Sequence, residues 1–126
     1  GEQTFRIKII PHDGDWTAIN LPRLAEEFTT PAPILLQGIH AGARPQSASF
    51  LSIDAANITV TAIKQAEDNN DLVFRCHETA GRATSATLSL HFANKQWTGL
   101  FRPHEIKTLR LDQTSGLFRE TNALED

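Results

Sequence analysis

The chain has 126 residues, of which 40 % are hydrophobic and 21 % charged, and it carries a net charge of −3. That is one domain's worth of core and the composition of an ordinary folded globule, which excludes a disordered chain. The basic residues are scattered, which excludes a phosphate-tracking nucleic-acid surface, and no apolar run approaches the ~20 residues of a membrane helix.

Thr4 to Ile10 alternates Phe5, Ile7 and Ile9 with Arg6 and Lys8, which predicts a strand with one wet face. Pro11 and Gly14 end it. Asn20-Leu21-Pro22 opens a short helix, Asn as cap and Pro in the first turn. Leu21, Leu24, Ala25 and Phe28 share one face of it. Pro31 and Pro33 stop it, and no other helix is expected. Ile34 to Ile39 is a short apolar run, and Ala41 to Pro45 a loop of small residues.

From here the pattern is strand after strand. Ser47–Ile53 and Ile58–Ile63 flank a turn at Asp54-Ala55-Ala56-Asn57. Asp68-Asn69-Asn70-Asp71 is the strongest hairpin signal, leading into Leu72–Cys76. After a turn at Ala80-Gly81-Arg82, Ala86, Leu88, Leu90 and Phe92 alternate with Thr87, Ser89 and His91. Asn94-Lys95 turns into Trp97–Phe101. Pro103 then precedes a half-buried strand whose apolar face is read as Ile106, Leu109 and Leu111, with one slip of register near Thr108. Asp112 to Asp126 is polar and reads as a loosely packed tail. About eight short strands at regular spacing with one short helix give the expected fold: all-β, an antiparallel β-sandwich.

Five histidines, His12, His40, His77, His91 and His104, raise a metal hypothesis, but no two have the close spacing of a zinc pair. Asp13-x-Asp15 starts like a calcium loop, yet the later ligand positions fall on Thr17, Ala18 and Leu24, so no metal site is expected. His12 and Asp15 are read as capping their turn and Trp16 as packing over the sandwich. Sugar contact by His12, Asp15 and Trp16 is the competing role. Glu26-Glu27 and Asp68/Asp71 are read as solvated charges, because a helix's polar face and a hairpin tip cannot drive two carboxyl pKa values apart. Cys76 lies on an apolar strand face and reads as a small buried hydrophobe. As the single cysteine it forms no internal disulfide and fits a reducing, cytoplasmic setting. Gly1-Glu2 is not expected to be a natural start.

Three stretches, in order, also carry a resemblance. Pro11-His12-Asp13-Gly14-Asp15-Trp16 resembles a Tyr-Pro-His-x-Gly-Asp-Trp segment of the retaining α-mannosidases of glycoside hydrolase family 38. Ala62-Ile63-Lys64-Gln65-Ala66-Glu67-Asp68, then Leu72-Val73-Phe74-Arg75 and Glu78-Thr79-Ala80-Gly81, resembles that family's Ala-x-Lys-x-Ala-Glu-Asp…Leu-x-x-Arg…Glu-x-x-Gly block. Pro103-His104-Glu105-Ile106-Lys107-Thr108 is similar to its near-terminal Pro-aromatic-Glu-Ile-Lys-Thr run. Between Phe92 and Pro103 the chain is shorter than the family pattern, so a hairpin is missing or shortened there.

The resemblance implies that residues 1–111 are the C-terminal β-sandwich region, with 1–45 partly in a preceding subdomain and 112–126 a tail. It implies a non-catalytic role: the parent enzyme hydrolyses α-mannosides, while zinc and the catalytic carboxylates belong to an N-terminal domain outside these residues. No catalytic residue and no cofactor is therefore expected in this chain. The partners it implies are that catalytic domain, mannosides, and a second copy of the chain through apolar residues around Leu21–Phe28 and Ile34–Leu36. A free-standing carbohydrate-binding module is the alternative.

Overall fold

The computed structural model describes residues 1–43 and 45–125. Arg44, inside the small-residue loop, and Asp126, in the expected tail, lie outside the described residues. The chain divides into two compact units after His40.

In the first unit, Asp15 organises a tight turn that leads into helix α1 (Leu21–Thr29). Pro22 occupies the first turn as expected. Asn20 enters the helix from the left-handed region (φ 49°), not from the extended backbone of a capping residue. Leu24 and Phe28 are half-buried, and the Arg6 guanidinium lies 5.5 Å from the Phe28 ring centre. The expected strand at Thr4–Ile10 does not form: Phe5, Ile7 and Ile9 are 79–86 % exposed. Alternation makes a strand only where a neighbour takes up its backbone groups, and among the described residues no strand pairs with this segment.

The second unit is an all-β sandwich of seven strands, every pairing antiparallel. One sheet has the order β1 (Leu51–Ile53), β4 (Thr84–Leu90), β5 (Lys95–Phe101). The other has the order β2 (Ile58–Gln65), β3 (Leu72–Glu78), β6 (Ile106–Leu111), β7 (Phe118–Thr121). Their inner faces meet in one cluster: Ala86, Leu88, Leu90 and Phe101 from the first sheet, Ile58, Phe74, Cys76, Leu109 and Leu111 from the second. Period-2 patterning explains each contribution, as Ala86, Leu88 and Leu90 point inward and Ser85, Thr87 and Ser89 outward. Gly99 also faces inward, opposite Ala86. The Trp97 indole lies flat over it, and a methyl group there would overlap the ring.

Two expectations are corrected. The face of β6 runs Lys107, Leu109, Leu111 without a slip, as its pairing with Cys76, Phe74 and Leu72 shows. Ile106 belongs to the outer face and is 62 % exposed. Residues 112–125 are also not loose. Asp112 accepts the amides of Thr114 and Ser115, Gly116 takes φ 69°, and β7 then pairs with β6.

Candidate functional site

The most densely bonded side chain in the described residues is Glu78, at the end of β3, and it is completely buried. Its Oε1 accepts from the Asn57 amide (2.7 Å) and the Ala80 N–H (2.8 Å). Its Oε2 accepts from the N–H groups of Gly81 (2.8 Å), Arg82 (3.1 Å) and His104 (2.9 Å). The local sequence produces this cradle. Gly81 adopts φ 71°, which turns successive amides towards one point, and His104 adopts φ 58° on the facing turn. The His104 ring closes on Gly81, where an added methyl carbon would stand 2.7 Å from Nε2. Burial pushes the Glu78 carboxyl up, but the His104 N–H, the Asn57 amide and the Ala80 and Arg82 N–H groups outweigh it and hold the group down at about 2. A carboxylate so held is an anion at neutral pH and a structural clamp.

At the opposite end of β3 stands a second buried acid. Arg110 donates through Nε to Asp71 (2.8 Å) and through Nη2 to Asp68 (2.6 Å). Asp71 also accepts from the Gln113 N–H (3.2 Å), while its own backbone closes the hairpin through the Ala66 N–H (2.8 Å). The hydrogen bond from Arg110 outweighs desolvation and keeps the Asp71 carboxyl below its ordinary value. The reading of Asp71 as a solvated hairpin-tip charge is thus corrected. Nothing in the local sequence linked it to an arginine 39 positions away. Asp68 does remain largely exposed.

The Glu105-Ile106-Lys107 run closes one end of the sandwich. Glu105 accepts the Arg102 N–H (2.7 Å) and pairs with its guanidinium (3.0 Å). The Lys107 ammonium lies 5.8 Å from the Trp97 ring centre and 5.6 Å from that of Phe101, with Glu120 at 2.6 Å. A lysine on a core face is stable when aromatic faces and carboxylates receive its charge.

The sequence-derived candidates His12, Asp15 and Trp16 lie together in the first unit. Asp15 Oδ1 accepts from the N–H of Thr17 (2.8 Å) and of Ala18 (3.1 Å) and from the Thr17 hydroxyl. That hydroxyl bond, then the two amides, lowers the Asp15 carboxyl below its ordinary value. His12 Nδ1 is 3.3 Å from the Asp13 carbonyl. Trp16 is 43 % exposed. Elsewhere, His77 faces outward beside Arg75 on the second sheet and His91 bonds Ser52 (2.9 Å). Cys76 is buried in the core, which pushes its thiol up to about 11. Among the described residues no three His, Cys, Asp or Glu side chains come together as metal ligands. No described helix is long and apolar enough to cross a membrane.

Comparison with known proteins agrees with the β-sandwich fold of the second unit. Residues 57–109 match the family model described as the glycosyl hydrolases family 38 C-terminal beta sandwich domain. No curated protein and no solved structure matches the chain. The matched span opens on Asn57, a donor to Glu78, and closes on Leu109 in the core.

Proposed function

We propose that this chain, whose residues 57–109 are a family 38 C-terminal β-sandwich domain, is the non-catalytic support of a zinc-dependent retaining α-mannosidase. Its partner is the catalytic domain of that enzyme, which acts on α-mannosides in glycan catabolism. The observation that carries this reading is the match of residues 57–109 to the family 38 C-terminal domain, and the setting of the carboxyl groups accords with it. Retaining glycosidases need two carboxyls about 5 Å apart, one of them raised to serve as acid. Here every displaced carboxyl, at Asp15, Asp71, Glu78, Glu105 and Asp112, is displaced downward by donors that fill its lone pairs. Acids bonded in this way are placed to hold loops. The described residues also do not fit zinc, since no ligand trio converges. A cytoplasmic parent enzyme is part of this proposal, and the single, unpaired Cys76 supports it.

The test is turnover of an aryl α-mannoside by the purified chain, with and without zinc. None is expected. Activity that survives repurification and scales with chain concentration would overturn the proposal. A second reading, a carbohydrate-binding module, is favoured by the exposure of Trp16 beside Asp15. Calorimetric titration with mannosides separates the two, because saturable binding abolished by Trp16→Ala supports the module.

A further inference from the structure

Past β7 the chain turns back over the outer face of the second sheet. Arg75 Nη2 donates to the Ala123 carbonyl (3.1 Å) and Arg110 Nη1 to the Glu125 carbonyl (3.0 Å). Lys64 pairs with the Glu125 carboxylate at 2.5 Å. Residues 122–125 thus form a strap across β2, β3 and β6, and the outer-face residues Val73 and Thr108 are buried. Its attachment has a distinct chemistry. Two arginines grip main-chain carbonyls, which any extended peptide offers, and one lysine selects a carboxylate.

The strap is also imperfectly seated. Among the described residues, the buried side-chain atoms without a hydrogen-bond partner are Arg75 Nε and Glu125 Oε2, and both belong to this contact. An unsatisfied buried polar atom carries a cost, so the attachment is weaker than its bonds suggest. Glu125 further takes φ 72°, a strained conformation for a side-chain-bearing residue. A cleft of about 220 Å³, lined by Glu67, Asp68, Arg110, Leu124 and Glu125, opens beside it. Arg110 is already matched by Asp68 and Asp71, and Lys64 also stands 3.4 Å from Glu67. Arg75 has no acidic partner among the described residues.

We propose that this outer face is a peptide-docking seat, filled in cis by residues 122–125, and that its external ligand is an extended acidic segment of another polypeptide, which displaces the strap. The seated strap is the template for that ligand: carbonyls for the two arginines and a carboxylate for Lys64. The proposal is independent of the mannosidase reading.

The test uses the whole chain carrying Glu125→Lys, which sets a second cation against Lys64 and Arg110, with a fluorescein-labelled peptide of residues 117–125 as probe. Anisotropy should show saturable binding at least about tenfold tighter than to the unaltered chain, a gap of about 1.4 kcal/mol. Adding Arg75→Ala should abolish it, and a probe carrying Glu125→Lys should not bind. Binding no tighter than to the unaltered chain, or indifferent to Arg75→Ala, overturns the proposal. If Glu125→Lys does not fold, hydrogen exchange on the unaltered chain decides. The amides of Leu124 and Glu125 should exchange through local opening, much faster than that of Leu109. Protection equal to that of Leu109 refutes a displaceable strap.

Discussion

Replacing Glu78 by Gln removes one charge and one acceptor while keeping the shape. Five donors converge on the carboxylate, three on Oε2 and two on Oε1. The best a glutamine can do is place its single oxygen where three donors point. Its NH2 group then faces the Asn57 amide and the Ala80 N–H, leaving two buried donors unpaired at about 1–3 kcal/mol each. The depression of the carboxyl gives a matching figure: held at about 2 against an ordinary 4.5, it corresponds to about 3 kcal/mol. We therefore predict that Glu78→Gln lowers stability by about 3–5 kcal/mol, a large part of a domain's typical ~5–15 kcal/mol. Urea unfolding followed by Trp fluorescence at pH 7 measures it. The sign with pH is fixed. The folded carboxyl is depressed, so its stabilisation is complete above about 4.5 and lost as pH falls towards 2. The gap between unaltered chain and variant should close across that window. A loss under about 1 kcal/mol at pH 7, or a gap that stays constant down to pH ~2.5, would refute the clamp.

Leu109→Ala should cost about 2–5 kcal/mol and Ile106→Ala under about 0.5 kcal/mol, because the first is buried in the core and the second lies on the outer face. Equal losses in parallel urea melts would contradict the register. Trp16→Ala should cost less than about 1 kcal/mol, as about two-fifths of the residue is already in water. A loss of 3 kcal/mol or more, in the ~3–5 kcal/mol range of buried aromatic truncations, would show that Trp16 is packed in solution. The Cys76 thiol should resist a disulfide reagent at pH 8 until urea unfolds the chain, given burial and a thiol raised to about 11. Rapid labelling of the folded chain would contradict its place in the core.

Most of the sandwich was legible, because β3 and β4 alternate cleanly and Asp68–Asp71 announces its hairpin. What was not legible traces to residues whose partners are remote in sequence. Lys107 on an inner face breaks the apolar pattern of β6, so the apolar alternation takes in Ile106 only if a slip of register is added. Only the rings of Trp97 and Phe101 and the Glu120 carboxylate make a lysine tolerable there. The same holds for Asp71, whose arginine arrives from β6, and for Glu78, whose motif spacing shows the turn but not the facing His104 amide. At Thr4–Ile10 the failure is opposite: the local pattern is sound, but a strand is a property of two chains of backbone and not of one. For the candidate site, sequence points to His12, Asp15 and Trp16, a single turn of the first unit. It gave no sign that the densest chemistry sits at Glu78.

The Glu78 clamp also bears on how the chain folds. Three of its donors are local, at Ala80, Gly81 and Arg82, but the other two come from 21 positions upstream at Asn57 and 26 downstream at His104, so the local turn cannot complete the cradle by itself. Losing water before those segments arrive would leave the anion in the growing core short of two donors. Dehydration of Glu78 therefore belongs after the main barrier, when both sheets have already met. Residues of this kind act on the rate of escape from the native state more than on the rate of reaching it. Glu78→Gln should accelerate unfolding far more than it slows folding, which makes the clamp a latch on lifetime: it sets how long the sandwich, once assembled, stays shut.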